Sequence, residues 1–203
     1  MHGADAGFGR AATLLLRARE FSGKSAGGIR GWSTSMRYCG AYVLAAILIG
    51  APAAHAATFG DSEKAELLAV HNKYRSALNE PALQWSDSLA VSAQAWAEHL
   101  ANEVHALQHS GALAKGENLA MWSAGRASLT KLVDLWGAEK QYFVESSFPN
   151  VSSTGDWKAV AHYTQMIWRG TTEVGCGRAT GSGNDYLVCQ YAPQGNFMGE
   201  KVF

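Results

Sequence analysis

The sequence has no excess charge of either sign and few cysteines. Lysine and arginine together number 17, aspartate and glutamate also number 17, and three of the 203 residues are cysteine. Proteins that bind nucleic acid usually carry an excess of positive charge, so a net charge of zero does not favour nucleic-acid binding. The sequence has no internal repeat and no low-complexity segment, and 47% of it is apolar. This composition excludes a disordered or collagen-like chain and favours a globular one.

Motifs that would specify a reaction are also missing. The sequence contains no HExxH zinc motif, no pair of CxxC motifs, no phosphate-binding P-loop and no GxSxG nucleophile elbow. A function therefore has to be inferred from residues that are scattered along the chain.

A short apolar run near the N-terminus has the features of a secretory signal peptide. Met36-Arg37 precede the uncharged apolar run 38–50, and Ala54-His55-Ala56 follows as a small-x-small cleavage site. The run is shorter than the roughly 20 apolar residues of a transmembrane helix. We therefore predict a signal peptide over 36–56 that is cleaved after Ala56, with a retained N-terminal anchor as the alternative.

Segment 1–35 precedes the methionine at which that signal peptide would begin. We interpret it as an upstream extension or a mis-assigned start, with an arginine-rich targeting segment as the alternative. Residues 57–203 then form one domain in an extracellular or periplasmic compartment. Cys39 leaves with the signal peptide, whereas Cys176 and Cys189 remain. Two cysteines in an exported domain predict one disulfide, with two free buried thiols as the alternative.

Apolar residues at helical spacing predict four helices. Helix one presents Leu67, His71 and Tyr74 on one face, and helix two has a longer stripe of the same period. The predicted N-terminal caps are Asp61 or Ser62 for helix one, Ser86 or Asp87 for helix two, and Ser128 for helix three. The fourth helix is predicted to be short, over 157–168.

Two predicted loops and two strand-like runs complete the pattern. Glycines predict a loop over 108–127, and 144–156 is predicted to be an exposed loop. The runs 173–178 and 186–191 flank a glycine-rich segment, which predicts an antiparallel hairpin. Helices followed by late strands predict an α+β fold with helices packed on an antiparallel sheet.

Histidines and glutamates are the candidates for chemistry. His71 lies on an apolar helix face, where a hydrogen-bonded packing role is expected, while His99 and His105 are predicted to be exposed. Glu139 falls on the core-facing stripe of helix three, where a carboxylate needs a partner, a proton or a cation. Glu117 follows a glycine, and His162 begins the last helix.

If two histidines and two glutamates converge in a cleft, they suit a divalent metal, particularly zinc, or acid–base chemistry. Spacing along the chain does not show whether they converge. Both readings therefore stay open at this point.

Four segments together resemble one protein family. The segments HYTQMIW at 162–168 and YLVCQYAPQGNF at 186–197 are similar to its two signatures, and HNKYR at 71–75 and GENLA at 116–120 are similar to two shorter motifs. All four occur in the family's order. The chain resembles the CAP superfamily (cysteine-rich secretory proteins, antigen 5 and pathogenesis-related 1 proteins, or SCP domain), in a bacterial-like single-domain form.

The resemblance implies a three-layer α-β-α sandwich with a central antiparallel sheet. It also implies a cleft that holds four residues, His109, Glu117, Glu139 and His162. Ala161, before the second histidine, departs mildly from the family pattern. The motif positions to which the resemblance gives a structural role are His71, Asn72, Arg75, Asn118 and Asn196.

The resemblance implies a secreted binding module rather than a defined enzyme. We expect His109 and His162 to hold zinc or another divalent cation, with Glu117 and Glu139 as further ligands or as groups that orient the histidines. One alternative is a protein that binds a sterol or fatty acid. Another is a metal-dependent hydrolase with Glu117 or Glu139 as general base. The expected partner is an extracellular sterol, fatty acid, glycan or protein, with no nucleic acid, and the expected state is a monomer.

Overall fold

The computed structural model describes residues 59–112 and 114–203. The predicted signal peptide at 36–56, segment 1–35 and Cys39 lie outside these residues. Within the described part, no helix is both long enough and apolar enough to cross a membrane.

Over the described ranges, the chain forms four α-helices and four strands. The helices are α1 (Asp61–Ser76), α2 (Asp87–His99), α3 (Leu129–Gly137) and α4 (Ala161–Ile167). The strands are β1 (Gln84–Trp85), β2 (Gly116–Ser123), β3 (Glu173–Gly181) and β4 (Asn184–Ala192). Short irregular helices extend three of the α-helices: a π-helical turn, Leu100–Val104, after α2, and 3₁₀ segments Ala138–Tyr142 after α3 and Trp157–Val160 before α4.

The predicted N-terminal caps of two helices are confirmed. Ser128 caps α3 by accepting a hydrogen bond from the Lys131 amide, and Ser86 occupies the cap position of α2. The prediction for α1 was wrong by one residue, because Gly60 is its cap. The Glu63 carboxylate accepts a hydrogen bond from the Gly60 amide at 3.1 Å, which supplies the capping interaction that glycine lacks.

The sheet is built around the predicted hairpin. Its strand order is β1-β3-β4-β2, and both the β3–β4 and β4–β2 pairs are antiparallel. The two-residue β1 differs, because it pairs with β3 in parallel. Cys176 and Cys189 lie directly opposite each other in the hairpin and form the disulfide.

Helices cover both faces of the sheet, which confirms the predicted α+β sandwich. Alternate residues of β4 point to opposite faces, as strand geometry requires. Tyr186 and Val188 pack with residues of α2, whereas Leu187, Cys189 and Tyr191 pack in the larger core with α1, α3 and α4. The three layers are therefore α2, the sheet, and the group of three helices.

Close contact between α2 and β3 depends on small residues. A Cβ atom on Gly175 would overlap the backbone at Ala90, and one on Gly177 would overlap the backbone at Gln94. Ala93 of α2, which is fully buried, adds another small side chain to this contact. Side chains at the two glycines would push α2 away from the sheet.

Three local predictions were wrong. Segment 108–127 is not a continuous loop, because β2 occupies its centre; Glu117 and Asn118 interrupt the apolar alternation that marks a strand. The segment 144–156 buries Phe148 and Val151 instead of being wholly exposed. The fourth helix is divided into a 3₁₀ segment and α4.

Candidate functional site

A cavity of about 360 Å³ opens beside the first residues of β2 and of α4. It is lined by residues 109–112, 115–118 and 194–196, together with Trp157, Ala161, His162 and Gln165. Three of the four predicted site residues, His109, Glu117 and His162, thus line one cavity. Glu139 does not line it and instead holds His162.

The first pair is His109 and Glu117. Glu117 belongs to β2, and its side chain is 8% exposed, whereas the His109 ring is 63% exposed. The carboxylate accepts hydrogen bonds from His109 Nδ1 at 3.0 Å, from the Ser110 amide at 2.8 Å and from Ser110 Oγ at 2.7 Å. It also accepts one from Gln190 Nε2 at 3.1 Å, across the β2–β4 pair.

These bonds set the ionisation of Glu117. Burial alone would raise the pKa of its carboxyl group. The hydrogen bonds from His109, Ser110 and Gln190 stabilise the charged form and outweigh burial, so that the pKa falls to about 2. Glu117 is therefore a carboxylate at any ordinary pH and a weak proton acceptor.

The second pair is His162 and Glu139. Glu139 lies in the 3₁₀ segment after α3, and His162 is the second residue of α4. One carboxylate oxygen contacts His162 Nδ1 at 2.6 Å, and the other accepts hydrogen bonds from the amides of His162 at 3.1 Å and Tyr163 at 3.0 Å. The His162 ring stacks on Trp136, with centroids 6.2 Å apart. The polar partners that a carboxylate on a core-facing stripe requires are thus supplied by the start of α4.

The four residues form two pairs and not one cluster. Within residues 59–112 and 114–203, no three His, Cys, Asp or Glu side chains are grouped closely enough to hold a metal ion. In each pair the carboxylate occupies Nδ1, and no described residue hydrogen-bonds to Nε2 of His109 or His162. Each carboxylate therefore orients its imidazole, and each Nε2 is available to a ligand of the cavity.

A buried network lies behind His162. His71 Nδ1 contacts the Leu67 carbonyl at 2.7 Å, and because a carbonyl only accepts, Nδ1 carries the proton. His71 Nε2 then accepts from the Tyr191 hydroxyl at 2.8 Å. Asn118 Nδ2 donates to the same hydroxyl at 3.2 Å and to the His162 carbonyl at 3.0 Å. His71 is thus a satisfied core histidine, as expected from its position on the helix face.

Burial governs the ionisation of His71. Its ring is fully buried, and desolvation lowers its pKa from 6.5 to about 4, assisted by the positive charge of Arg75. His71 is therefore neutral at neutral pH and holds its tautomer through the two hydrogen bonds.

The remaining motif residues bond mainly to the backbone. Arg75 is buried and donates to the carbonyls of Pro81, Met166, Trp168 and Thr171 at 2.6, 3.1, 2.8 and 3.1 Å. Asn72 bonds to both the carbonyl and the amide of Leu83. Asn196 donates to the Ala161 carbonyl at 3.0 Å and accepts from the Thr164 hydroxyl at 2.8 Å. These contacts hold the helices and the cavity wall in place.

Two residues of the site were not predicted. Gln190, which is 1% exposed, bonds to Glu117, and Lys115 Nζ lies 3.4 Å from Gln190 Oε1. The available signal was Gln190 itself, a polar residue within an apolar strand. His99 and His105 lie outside the cavity, where His99 pairs with Glu103 and His105 bonds to Ser182.

Comparison with known proteins identifies the family. The model of the cysteine-rich secretory protein (CAP) family matches residues 68–191. A pathogenesis-related protein of the PR-1 type from Sambucus nigra is 34% identical over 135 residues, which are 66% of this chain and 78% of that protein.

Two solved structures share the fold. BmVAL-1 has a TM-score of 0.61 at 24% identity and covers 72% of this chain and 84% of its own. NaASP2 with Zn²⁺ has a TM-score of 0.57 at 24% identity and covers 71% of this chain and 86% of its own. At this identity the two likenesses show the fold alone. The family match and the PR-1 relative show that the chain belongs to the cysteine-rich secretory protein (CAP) family.

Proposed function

We propose that this protein is an extracellular binding module whose cavity holds a divalent cation through Nε2 of His109 and Nε2 of His162. The observation that carries the proposal is the pairing of each histidine with its own carboxylate. Histidines that bind metals commonly donate Nδ1–H to a carboxylate, which fixes the tautomer and makes Nε2 a better ligand. Both histidines of the cavity have this arrangement, from different parts of the chain.

The residues present fit a borderline metal such as zinc. Imidazole nitrogen is a preferred zinc ligand, and a cavity of about 360 Å³ has room for water to complete a coordination shell. Glu117 and Glu139 act as orienting groups in this proposal, because their oxygens already accept hydrogen bonds from backbone and side chains. NaASP2, which shares the fold, has been solved with Zn²⁺.

Extracellular location is supported by three observations. The family is described as secretory, the sequence at 36–56 has the pattern typical of a signal peptide, and Cys176 and Cys189 form a disulfide. Cleavage after Ala56 is part of the proposal. N-terminal sequencing of the exported protein tests it, and a first residue of Ala57 is the expected result.

Calorimetric titration of the purified protein with Zn²⁺ tests the cation site. We expect saturable binding that disappears in the double variant His109→Ala/His162→Ala. The matched control is His99→Ala/His105→Ala, which removes two histidines outside the cavity and should leave binding unchanged. Binding that survives in the first variant, or that is lost equally in both, would place the metal elsewhere.

A hydrolase remains the alternative that uses the same residues. Glu117 is poorly suited to be its general base, because four hydrogen bonds stabilise its charged form and lower its pKa to about 2. We expect that the zinc-loaded protein does not hydrolyse ester or peptide substrates. Turnover that is lost in Glu139→Gln but kept in Glu117→Gln would favour the hydrolase.

Lipid binding remains the alternative that does not use the histidines. A groove of about 250 Å³ is lined by Ala69 and Val70 of α1 and by Thr130 of α3, with Glu66 and Lys73 at its sides. Sterol or fatty-acid binding that persists in His109→Ala/His162→Ala would favour this alternative.

A further inference from the structure

The cavity contains a lysine without a carboxylate partner. Lys115 lines the cavity and is half-buried, one residue before β2. Its Nζ contacts two neutral oxygens, Ser92 Oγ at 3.1 Å and Gln190 Oε1 at 3.4 Å. No Asp or Glu among the described residues lies within salt-bridge distance of it. Its charge has lost part of its hydration without gaining an anion, which is unfavourable.

The neighbouring carboxylate does not neutralise Lys115. Both oxygens of Glu117 are occupied by His109, Ser110 and Gln190. Gln190 lies between the two charges: its Nε2 donates to Glu117, and its Oε1 accepts from Lys115. The Gln190 amide therefore separates the Lys115 ammonium group from the Glu117 carboxylate. Because the ammonium group uses two of its three N–H donors on Ser92 and Gln190, one N–H is left for a ligand in the cavity.

We propose that Lys115 is an anion subsite and that the cavity takes a ligand bearing a single carboxylate. A monoanion balances one lysine. A dianionic phosphate would bring a second charge towards Glu117, which lines the same cavity. Gln194 supplies a polar contact, and Trp157 and Ala161 supply apolar ones, so the ligand is a small organic acid or the C-terminus of a peptide. The volume of about 360 Å³ is that of a small-molecule site.

The inference concerns the cavity of the proposed function but does not require the cation. The experiment therefore uses metal-free protein, so that failure of the cation site and failure of the anion subsite give separate results. Propionate and propionamide, which differ in charge and not in size, are titrated into the ¹⁵N-labelled protein. We expect propionate alone to give saturable shifts of the amides at 109–118 and 161–165.

Substitutions assign the effect to the ammonium group. In Lys115→Met the affinity for propionate should fall about tenfold, as for loss of a charged hydrogen bond, whereas Lys115→Arg should keep it. Lys131→Met, which removes an exposed lysine of α3, is the matched control and should behave as the parent protein. Equal responses to propionate and propionamide, or unchanged affinity in Lys115→Met, would overturn the proposal.

Two further ligands separate the sources of the anion. An N-acetylated dialanine with a free carboxyl group should bind more tightly than propionate if peptides are the ligand, and no more tightly if small acids are. Its C-terminal amide should not bind in either case. Inorganic phosphate that binds more tightly than either carboxylate, through Lys115, would contradict the assignment of a monoanion.

Discussion

Two buried tyrosines of β4 provide a direct test of the hydrogen-bond network behind the cavity. The Tyr191 hydroxyl donates to His71 and accepts from Asn118. The Tyr186 hydroxyl is also buried but has no hydrogen-bond partner among the described residues. Both rings are fully buried. The substitutions Tyr191→Phe and Tyr186→Phe thus delete the same atom from the same strand, with and without partners.

The expected costs differ because of what is left behind. Tyr191→Phe leaves His71 Nε2 buried without a donor and takes one of two acceptors from Asn118. A buried group left unsatisfied costs about 1–3 kcal/mol, so we expect the free energy of unfolding to fall by about 2 kcal/mol. Tyr186→Phe leaves no partner unsatisfied and removes a desolvated hydroxyl, so we expect a change within about 0.5 kcal/mol or a small gain.

Urea unfolding at pH 7 measures both effects. The midpoints of the two variants and the parent should be compared only if their m-values agree, since a changed m-value reports a changed denatured state. Equal losses in the two variants would refute the argument, because packing and not hydrogen bonding would then set the cost. A larger loss in Tyr186→Phe would mean that its hydroxyl has a partner.

Three further predictions concern stability. Because the pKa of His71 falls from 6.5 unfolded to about 4 folded, its contribution is present above pH 6.5 and is lost as the pH falls towards 4. Urea unfolding of the metal-free protein should show that the free energy of unfolding falls by about 3 kcal/mol over this pH range. The same dependence of this free energy on pH in His71→Gln would contradict the prediction. Arg75→Lys replaces four carbonyl contacts by at most three and should lower the free energy of unfolding by about 2 kcal/mol or more in thermal denaturation; an unchanged midpoint would show that the contacts are dispensable. Cys176→Ala/Cys189→Ala removes a cross-link between residues 13 positions apart and should lower the free energy of unfolding by about 3 kcal/mol relative to the oxidised parent protein, by chain entropy; the reduced parent protein is the control and should unfold like the variant, and an unchanged stability of the variant would contradict the prediction.

The sequence predicts those parts of the fold whose physical signal is local. The helical spacing of Leu67 and His71 is a local signal, and both are fully buried on α1. Strand β2 has no such signal, because Asn118, Leu119 and Ala120 are buried in succession while 121–123 are exposed. That pattern follows from coverage of the strand on both faces at one end only, which is a property of the assembled layers.

The candidate site, too, is predicted only in part, because some of its contacts depend on the assembled fold. The resemblance names its four residues but does not give their pairing. His109 and Glu117 are close in the chain, whereas Glu139 and His162 are 23 positions apart and meet through the start of α4. The roles of Lys115 and Gln190 depend on the β2–β4 register, which the sequence does not reveal once β2 is missed.

The strand order has a consequence for how the chain can be made. The two central strands, β3 and β4, are the last two in the sequence, and each outer strand pairs only with one of them. No pair of these strands can therefore form during synthesis before β3 has emerged, and three of the carbonyls that Arg75 of α1 binds, those of Met166, Trp168 and Thr171, also lie far along the chain from α1. Both outer strands join the sheet through contacts between residues that are far apart in the sequence, such as Glu117 with Gln190, and contacts of this kind slow folding.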